Sequence, residues 1–370
     1  MSPRPTANQR PVSPQRPVSP PGTSNPRAAR LRVAEVIRQT EDAASLVFDV
    51  PAELAERFAY RPGQFLTISV PASEGPVARC YSLSSSPHTG DQHAITVKRA
   101  GYGSSWLVDN VRPGTELDVL PPAGLFTPGD LDSDLLLFAG GSGITPVMSI
   151  VKSALEQGRG TIVLVYTNRD EKSVIFAGEL RELARDNPRL LVIHWLDSVQ
   201  GHPTAAAMTA LARPYAGFEA FVCGPDPYMT IVKEALAGLG VPKKRVHIER
   251  FLPLAENPFE DRPRASAAPR DGANQDGGTS RPATLEVTMD GEERVLAWPA
   301  GTRMLDVLID DGLDAPFSCR EGNCGACACQ VTAGEVRMVN NEVLEDEDIA
   351  EGYVLACQSL AVTENVNITY

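Results

Sequence analysis

Four cysteines near the C-terminus stand as Cys319, four residues, Cys324, two residues, Cys327, then twenty-nine residues to Cys357. This is the plant-type spacing for a [2Fe–2S] cluster, in which one tight loop and one distant strand bring four thiolates around two irons. A chain that obeys it must bend the loop sharply and return a strand to meet it. The loop reads Cys319-Arg320-Glu321-Gly322-Asn323-Cys324-Gly325-Ala326-Cys327. Its Gly and Ala residues suit a backbone that wraps closely and turns N–H groups toward sulfur. A disulfide pair and a zinc site are the other readings. Zinc favours two CxxC-like pairs, and Cys319 to Cys324 is too wide for one half.

With 370 residues the chain has room for two or three domains, each with its own core. No apolar run approaches the length of a membrane span, and the N-terminus lacks the apolar segment of a signal peptide. Free cysteines beside an iron–sulfur motif point to a reducing cytoplasm. Charge is uneven: from residue 283 to the end there are 17 acidic and 4 basic residues, a net of −13 that equals the whole-chain figure. An acidic module argues against nucleic acid, which needs a basic footprint. It would steer toward a basic patch on a protein partner, or serve solubility alone; the run 342–351 reads equally as a solvated loop.

Residues 1–29 are rich in Pro and Arg with no acidic residue, the composition of a disordered extension. A Pro-, Gly- and Asp-rich stretch at 253–282 reads as a linker. Between them lie two textures. Over 30–130, short β-like runs at 46–50, 65–70, 94–98 and 116–120 are punctuated by turn residues, the pattern of an antiparallel β-barrel. Over 131–252, apolar strands alternate with helices expected at 145–156, 177–185, 204–211 and 227–239, which predicts a doubly wound parallel α/β sheet. Over 283–370, a hairpin (284–289, 293–297) and a helix at 304–311 precede the cysteine loop.

Gly140-Gly141-Ser142-Gly143-Ile144-Thr145-Pro146 follows an apolar strand and opens a helix. Glycines let backbone approach a pyrophosphate, and the helix N-terminus offers free N–H groups. Read as GxGxxG from Gly141, the sixth position is Pro146, so this is not the Rossmann fingerprint. Cys223-Gly224-Pro225 ends another strand, and ligands of open α/β sheets sit where two such loops meet. Cys223 reads either as a buried structural thiol or as a neighbour of nicotinamide. Asn168 and Arg169 end a third strand, where Arg169 would reach a 2′-phosphate or remain solvated. In the barrel, Arg79-Cys80-Tyr81-Ser82 offers a cation, an aromatic face and a hydroxyl, the groups that pair a phosphate and hold a flavin ring. Gly103, Ser104 and Ser105 stand where a helix would start and offer donors to a pyrophosphate. Arg79 as a surface charge and Tyr81 as a core packer are the plainer alternatives.

In order and content these motifs resemble the ferredoxin–NADP reductase superfamily, specifically oxygenase reductases with a C-terminal plant-type ferredoxin domain of β-grasp type. The runs Asn168-Arg169-Asp170-Glu171-Lys172-Ser173-Val174-Ile175-Phe176-Ala177, His194-Trp195-Leu196 and Ala315-Pro316-Phe317-Ser318-Cys319-Arg320-Glu321 carry a nearer similarity, to reductase components of 3-ketosteroid 9α-hydroxylases. The resemblance implies an FAD site (Arg79, Tyr81, Ser82, Val97, Lys98, Gly103, Ser104, Ser105). It implies a site for NADH, with NADPH possible, at Gly140, Gly141, Gly143, Thr145, Asn168, Arg169, Cys223, Gly224 and Pro225. Ser82, Cys223 and Glu249 would line the hydride site, and Cys319, Cys324, Cys327 and Cys357 would ligate the cluster. Cys329 is not expected to ligate. The long N-terminal extension and Asn323 in the cluster loop depart from the pattern without touching a ligand.

Implied by the same resemblance are a monomeric NADH oxidoreductase with no membrane or nucleic-acid partner and delivery of electrons to a terminal oxygenase, with a Rieske-type one favoured. A plant-type cluster near about −400 mV and a Rieske centre at about −150 mV or above make that delivery downhill. A reductase for a di-iron oxygenase, such as phenylacetyl-CoA epoxidase, is the nearer alternative. A non-catalytic iron–sulfur redox sensor is the alternative from another class, and it would require broken flavin or nucleotide motifs.

Overall fold

The computed structural model describes residues 25, 27–254, 257–260, 282–289, 291–344 and 346–370. Most of the expected extension and linker, together with Glu345 of the acidic run, lie outside the described residues.

The first unit is a six-stranded antiparallel sheet: β1 (Ala29–Arg38), β2 (Ala43–Asp49), β3 (Phe65–Val70), β4 (Val77–Ser82), β5 (Ala94–Lys98) and, after helix α1 (Tyr102–Asn110), β6 (Glu116–Ala123). Their order is β4-β3-β6-β1-β2-β5. A bridge between Leu83 and Ile95 brings the two outermost strands together and curls the sheet into a barrel. Leu31, Phe48, Leu66, Ile68 and Val97 fill its interior. Alternation with period two is what buries one face of each strand and leaves the other for ligands or partners.

The second unit alternates strands and helices: β7 (Leu135–Gly140), α2 (Ile144–Gln157), β8 (Ile162–Asn168), α3 (Ala177–Asp186), β9 (Leu190–Leu196), α4 (Asp197–Gln200), α5 (Ala205–Ala212), β10 (Glu219–Cys223), α6 (Asp226–Gly238) and β11 (Val246–Glu249). The strands run in parallel in the order β11-β10-β7-β8-β9. Helices α2 and α3 cover one face, and α5 and α6 the other. β7 and β8 are buried along their whole length, as a sheet covered on both faces demands. Thr204 caps α5 by accepting the Ala207 N–H (3.2 Å). A buried Ser86–Ser153 hydroxyl pair (2.8 Å) ties this unit to the barrel.

The third unit comprises β12 (Ala283–Met289), β13 (Glu292–Trp298), α7 (Met304–Asp310), β14 (Ala328–Ala333), β15 (Val336–Met338), α8 (Asp346–Ala350), β16 (Tyr353–Leu355), β17 (Ser359–Ala361) and β18 (Asn365–Thr369). Its mixed sheet runs β13-β12-β18-β14-β16, with β12 and β18 parallel, beside a small β15–β17 ribbon. α7 packs Met304, Leu305 and Leu308 into the core with Trp298. Against the barrel it contributes Gly325, where an added Cβ would lie 2.8 Å from the Leu125 side chain.

Two expected boundaries shift. The extension expected through residue 29 ends earlier, because Ala28 and Ala29 are buried and Ala29 already pairs with Val119. The linker expected from 253 is not free at its start. Phe259 is 2% exposed among Ala28, Ala78 and Leu120, and the Asn257 amide donates to the Pro76 carbonyl (2.8 Å). Ala28, Ala29 and Phe259 are packed for one reason: each buries apolar surface that composition averaging over a polar segment conceals.

Candidate active site

The cysteine loop lies between α7 and β14. Cys319, Cys327 and Cys357 are buried, and Cys324 is half-buried. Backbone N–H groups of Glu321 and Asn323 donate to the Cys319 sulfur, each at 3.4 Å, and that of Cys319 to the Cys324 sulfur at 3.4 Å. Cys357 N–H reaches the Cys327 sulfur (3.5 Å), and the Gln358 amide reaches that of Cys357 (3.5 Å). The bend that aims these donors needs left-handed backbone at Arg320, Gly322 and Gly325 (φ 59°, 83° and 68°). Arg320 tolerates it while paired with Asp306 (3.2 Å) and stacked over Phe317. Hydrogen bonds from the Cys324 and Cys357 thiols, then from the loop N–H groups, hold the Cys319 thiol well below its usual range. Among the described residues no group of three or more His, Cys, Asp or Glu surrounds a single metal ion. A [2Fe–2S] cluster asks for only two thiolates at each iron, so the donor set fits it. Cys329 faces Met304 (3.8 Å) instead, and burial pushes its thiol up to about 12.

A cleft of about 390 Å³ opens where all three units meet. Its barrel wall carries Arg79, Tyr81, Ser82 and Lys98, its far wall Ser142, Thr145 and Glu249, and its third side Asn323 and Cys324. Gly103 lets the first turn of α1 lie against Arg79, since a Cβ there would stand 3.1 Å from Arg79 Cγ. The Ser104 hydroxyl is occupied locally: it accepts the Ala100 and Gly101 N–H groups (2.9 and 3.1 Å) and donates to the Gly101 carbonyl (3.0 Å). Ser104 therefore starts the helix, and Ser105, whose N–H returns to the Gly101 carbonyl, does not line the cleft. Val97 points into the barrel core at 1% exposed, so its side chain is not in the cleft, whereas Lys98 pairs with Asp42 (3.8 Å) and faces Gly141. The tail Arg250-Phe251-Leu252-Pro253-Leu254 also lines the cleft. Its signal in the sequence is the apolar pair Phe251-Leu252, one residue beyond the end of β11.

At the switch point of the parallel sheet, β7 and β10 end side by side, Ala139 opposite Cys223. Three glycines allow the loops to touch. A Cβ on Gly143 would lie 2.1 Å from the Cys223 carbonyl oxygen, one on Gly224 3.0 Å from Gly140 Cα, and one on Gly140 2.9 Å from Pro225. Thr145 is buried and donates to the Ser142 carbonyl (3.1 Å). Asn168, 4% exposed, leaves its side-chain amide atoms without a well-formed hydrogen bond, beside the Tyr166 hydroxyl, which donates to the Gly141 carbonyl (3.1 Å). Such an amide at this strand end fits a dinucleotide that would satisfy it. Arg169 is exposed and paired with Asp170 (3.7 Å). β10 and β11 pair Cys223 directly with Glu249. Burial, and then the Glu249 charge, push the Cys223 thiol well above its usual range, and burial pushes the half-buried Glu249 carboxyl up to about 8.

Comparison with known proteins matches three domain families in order: an oxidoreductase FAD-binding domain over 30–127, an oxidoreductase NAD-binding domain over 137–234 and a 2Fe-2S iron-sulfur cluster binding domain over 287–362. The chain is 53% identical over 348 residues to the ferredoxin reductase component of 3-ketosteroid-9-alpha-monooxygenase from Rhodococcus rhodochrous, covering 93% of this chain and 97% of that one. To the protein of the same description from Mycolicibacterium smegmatis it is 55% identical, covering 92% and 96%. It belongs to this family of ferredoxin reductase components.

The family accounts for all three walls of the cleft. The chain is an oxidoreductase component of a monooxygenase, with domains for FAD, NAD and a [2Fe–2S] cluster. The sensor alternative falls with it. The fold is shared with phthalate dioxygenase reductase, at a TM-score of 0.54 and 24% identity over 93% of this chain and 98% of that structure. No helix among the described residues is long and apolar enough to cross a membrane.

Proposed function

We propose that this protein is the NADH-dependent reductase of a 3-ketosteroid 9α-hydroxylase and passes electrons singly to a Rieske-type terminal oxygenase, acting as a monomer in a reducing cytoplasm. Identity above one half across nearly the full length of two reductases of that description supports the steroid assignment. The observation that carries the electron path is Cys324, a cluster ligand in this reading, standing in the wall of the same cleft as Tyr81 and Ser82. Seven free cysteines agree with a reducing compartment.

FAD, when bound, supplies the ability to take a hydride as an electron pair and release single electrons. The chain's own residues orient and insulate that chemistry. Arg79 meets phosphate charge, and Tyr81 and Ser82 hold the ring by an aromatic face and a buried hydroxyl. Gly140, Gly143 and Gly224 clear the space in which a nicotinamide reaches the cleft. Glu249, with its carboxyl near 8, keeps a proton at neutral pH and presents a neutral donor beside Cys223. Arg169, the residue that would reach a 2′-phosphate, is already paired with the Asp170 carboxylate (3.7 Å), which supports NADH over NADPH.

Reconstitution tests the reading. With NADH and a steroid Rieske oxygenase the protein should yield hydroxylated 3-ketosteroid, with kcat/KM for NADH above that for NADPH. Cys324→Ser should abolish product yet spare reduction of a flavin-accepting dye. Turnover restored only by a di-iron oxygenase would overturn the assignment.

A further inference from the structure

Thr67 lies in β3 between Leu66 and Ile68, whose side chains fill the barrel core. Alternation turns Thr67 to the outer face of that strand, where a threonine is ordinarily solvated. It is 1% exposed, because the third unit covers it. Its hydroxyl meets that of Ser318 at 2.7 Å, and Ser318 is itself 3% exposed. Cys80, directly opposite Thr67 on β4, completes the contact: its sulfur lies 3.5 Å from the Thr67 hydroxyl and 3.9 Å from that of Ser318.

The position of this cluster in the chain matters more than its size. Ser318 is bonded to Cys319, and Cys80 is bonded to Tyr81. The three polar atoms therefore join the backbone of the cluster loop to the backbone of the strand that holds the ring. The ion pairs to the third unit are of another kind. Arg250–Glu342 (3.8 Å), from the tail after β11, leaves both side chains about half exposed, and Arg27–Asp314 leaves its carboxylate 61% exposed, although the Arg27 guanidinium also donates to the Asp314 carbonyl (2.5 Å). Exposed charge pairs are screened by salt. A buried hydroxyl pair is directional and leaves an unsatisfied group when displaced.

We propose that Thr67, Ser318 and Cys80 form an interdomain lock that positions the cluster loop against the flavin cleft. They are positioning residues: none is a cluster ligand, and while Cys80 also lines the cleft, Thr67 and Ser318 act behind it. The proposal rests on the three-domain reading above, but the cofactor spectra and the NADH step report on that reading separately.

The test uses the holoenzyme with Thr67→Val, Thr67→Ser and Ser318→Ala. Visible spectra should show flavin and cluster retained in each, and anaerobic mixing with NADH should reduce the flavin at the wild-type rate. Cluster bleaching should then slow about tenfold in Thr67→Val and Ser318→Ala, the scale of one lost buried hydrogen bond. Thr67→Ser, which keeps the hydroxyl, should recover the wild-type rate. Amide exchange at 65–68 and 316–320 should rise in the two slow variants without any NADH present. Wild-type bleaching and exchange in Thr67→Val, or a Thr67→Ser variant as slow as Thr67→Val, would overturn the lock. Thr67 belongs to the barrel and not to the cluster loop, so its two variants decide the matter if Ser318→Ala loses its cluster.

Discussion

A carboxyl and a thiol face each other across the last pair of the parallel sheet, and burial drives both toward their neutral forms. Cys223 is thus a neutral, packed group rather than a thiolate nucleophile. Glu249 has a consequence for stability. Its folded pKa of about 8 exceeds the unfolded value of about 4.3. Between these values the folded protein keeps a proton that the unfolded chain has released, so stability falls as pH rises through that window and levels off above it. Glu249→Gln should remove this decline: relative to wild type it gains stability from pH 5 to pH 8 in urea titrations. Parallel curves for the two proteins would show that Glu249 is not desolvated.

The β7–α2 and β10–α6 turns, proposed above to receive the nicotinamide nucleotide, approach more closely than any side chain would permit. Gly143 has ordinary helical dihedrals (φ −62°, ψ −9°), so alanine suits its backbone. The difficulty is the 2.1 Å approach to the Cys223 carbonyl. Gly143→Ala should force the two turns apart at a cost of about 1–3 kcal/mol, raising KM for NADH roughly tenfold or more. Flavin and cluster absorbance should remain, because neither group rests on that turn. An unchanged KM would show that the turns yield without disturbing the site.

For the molecule as a whole, the arrangement depends on short segments that bridge units. Phe259 is the clearest, an aromatic sealed against the barrel just before the chain leaves the described region. The Asn25 amide donates to the adjacent Pro258 carbonyl (3.0 Å), so chain from the start and the middle of the sequence meets there. Removing a buried Phe side chain costs about 3–5 kcal/mol, more than so short a segment has to hold it. Phe259→Ala should release 257–260, detected as faster limited proteolysis there with the cofactor spectra intact. Unaltered cleavage would assign the anchoring to Asn257 and Asn25.

The strands at 65–70 and 94–98 and the helix at 177–185 were legible from periodicity, because burial of one face writes itself into local sequence. The 2Fe-2S domain was legible from cysteine spacing alone, since only a few loop lengths can wrap two irons. Gly140, Gly143 and Gly224 were legible as loops between strand and helix. Ser104 lines the cleft as expected, but its hydroxyl is also spent on the helix start, which the sequence does not reveal. Glu249 was named for the hydride site through the resemblance, with nothing in the sequence to show its burial; Thr67 read as one more β residue and Phe259 as part of a polar linker. Each takes its role from a neighbour on another unit: Glu249 from the cleft that desolvates it, Thr67 from Ser318 some 250 residues away, Phe259 from the barrel surface it fills. Sequence by itself determined which chemistries this chain carries, because ligand sets and apolar faces are local patterns. Only the tertiary structure decided that those chemistries share one cleft, because desolvation and contact between units depend on distances that no local pattern encodes.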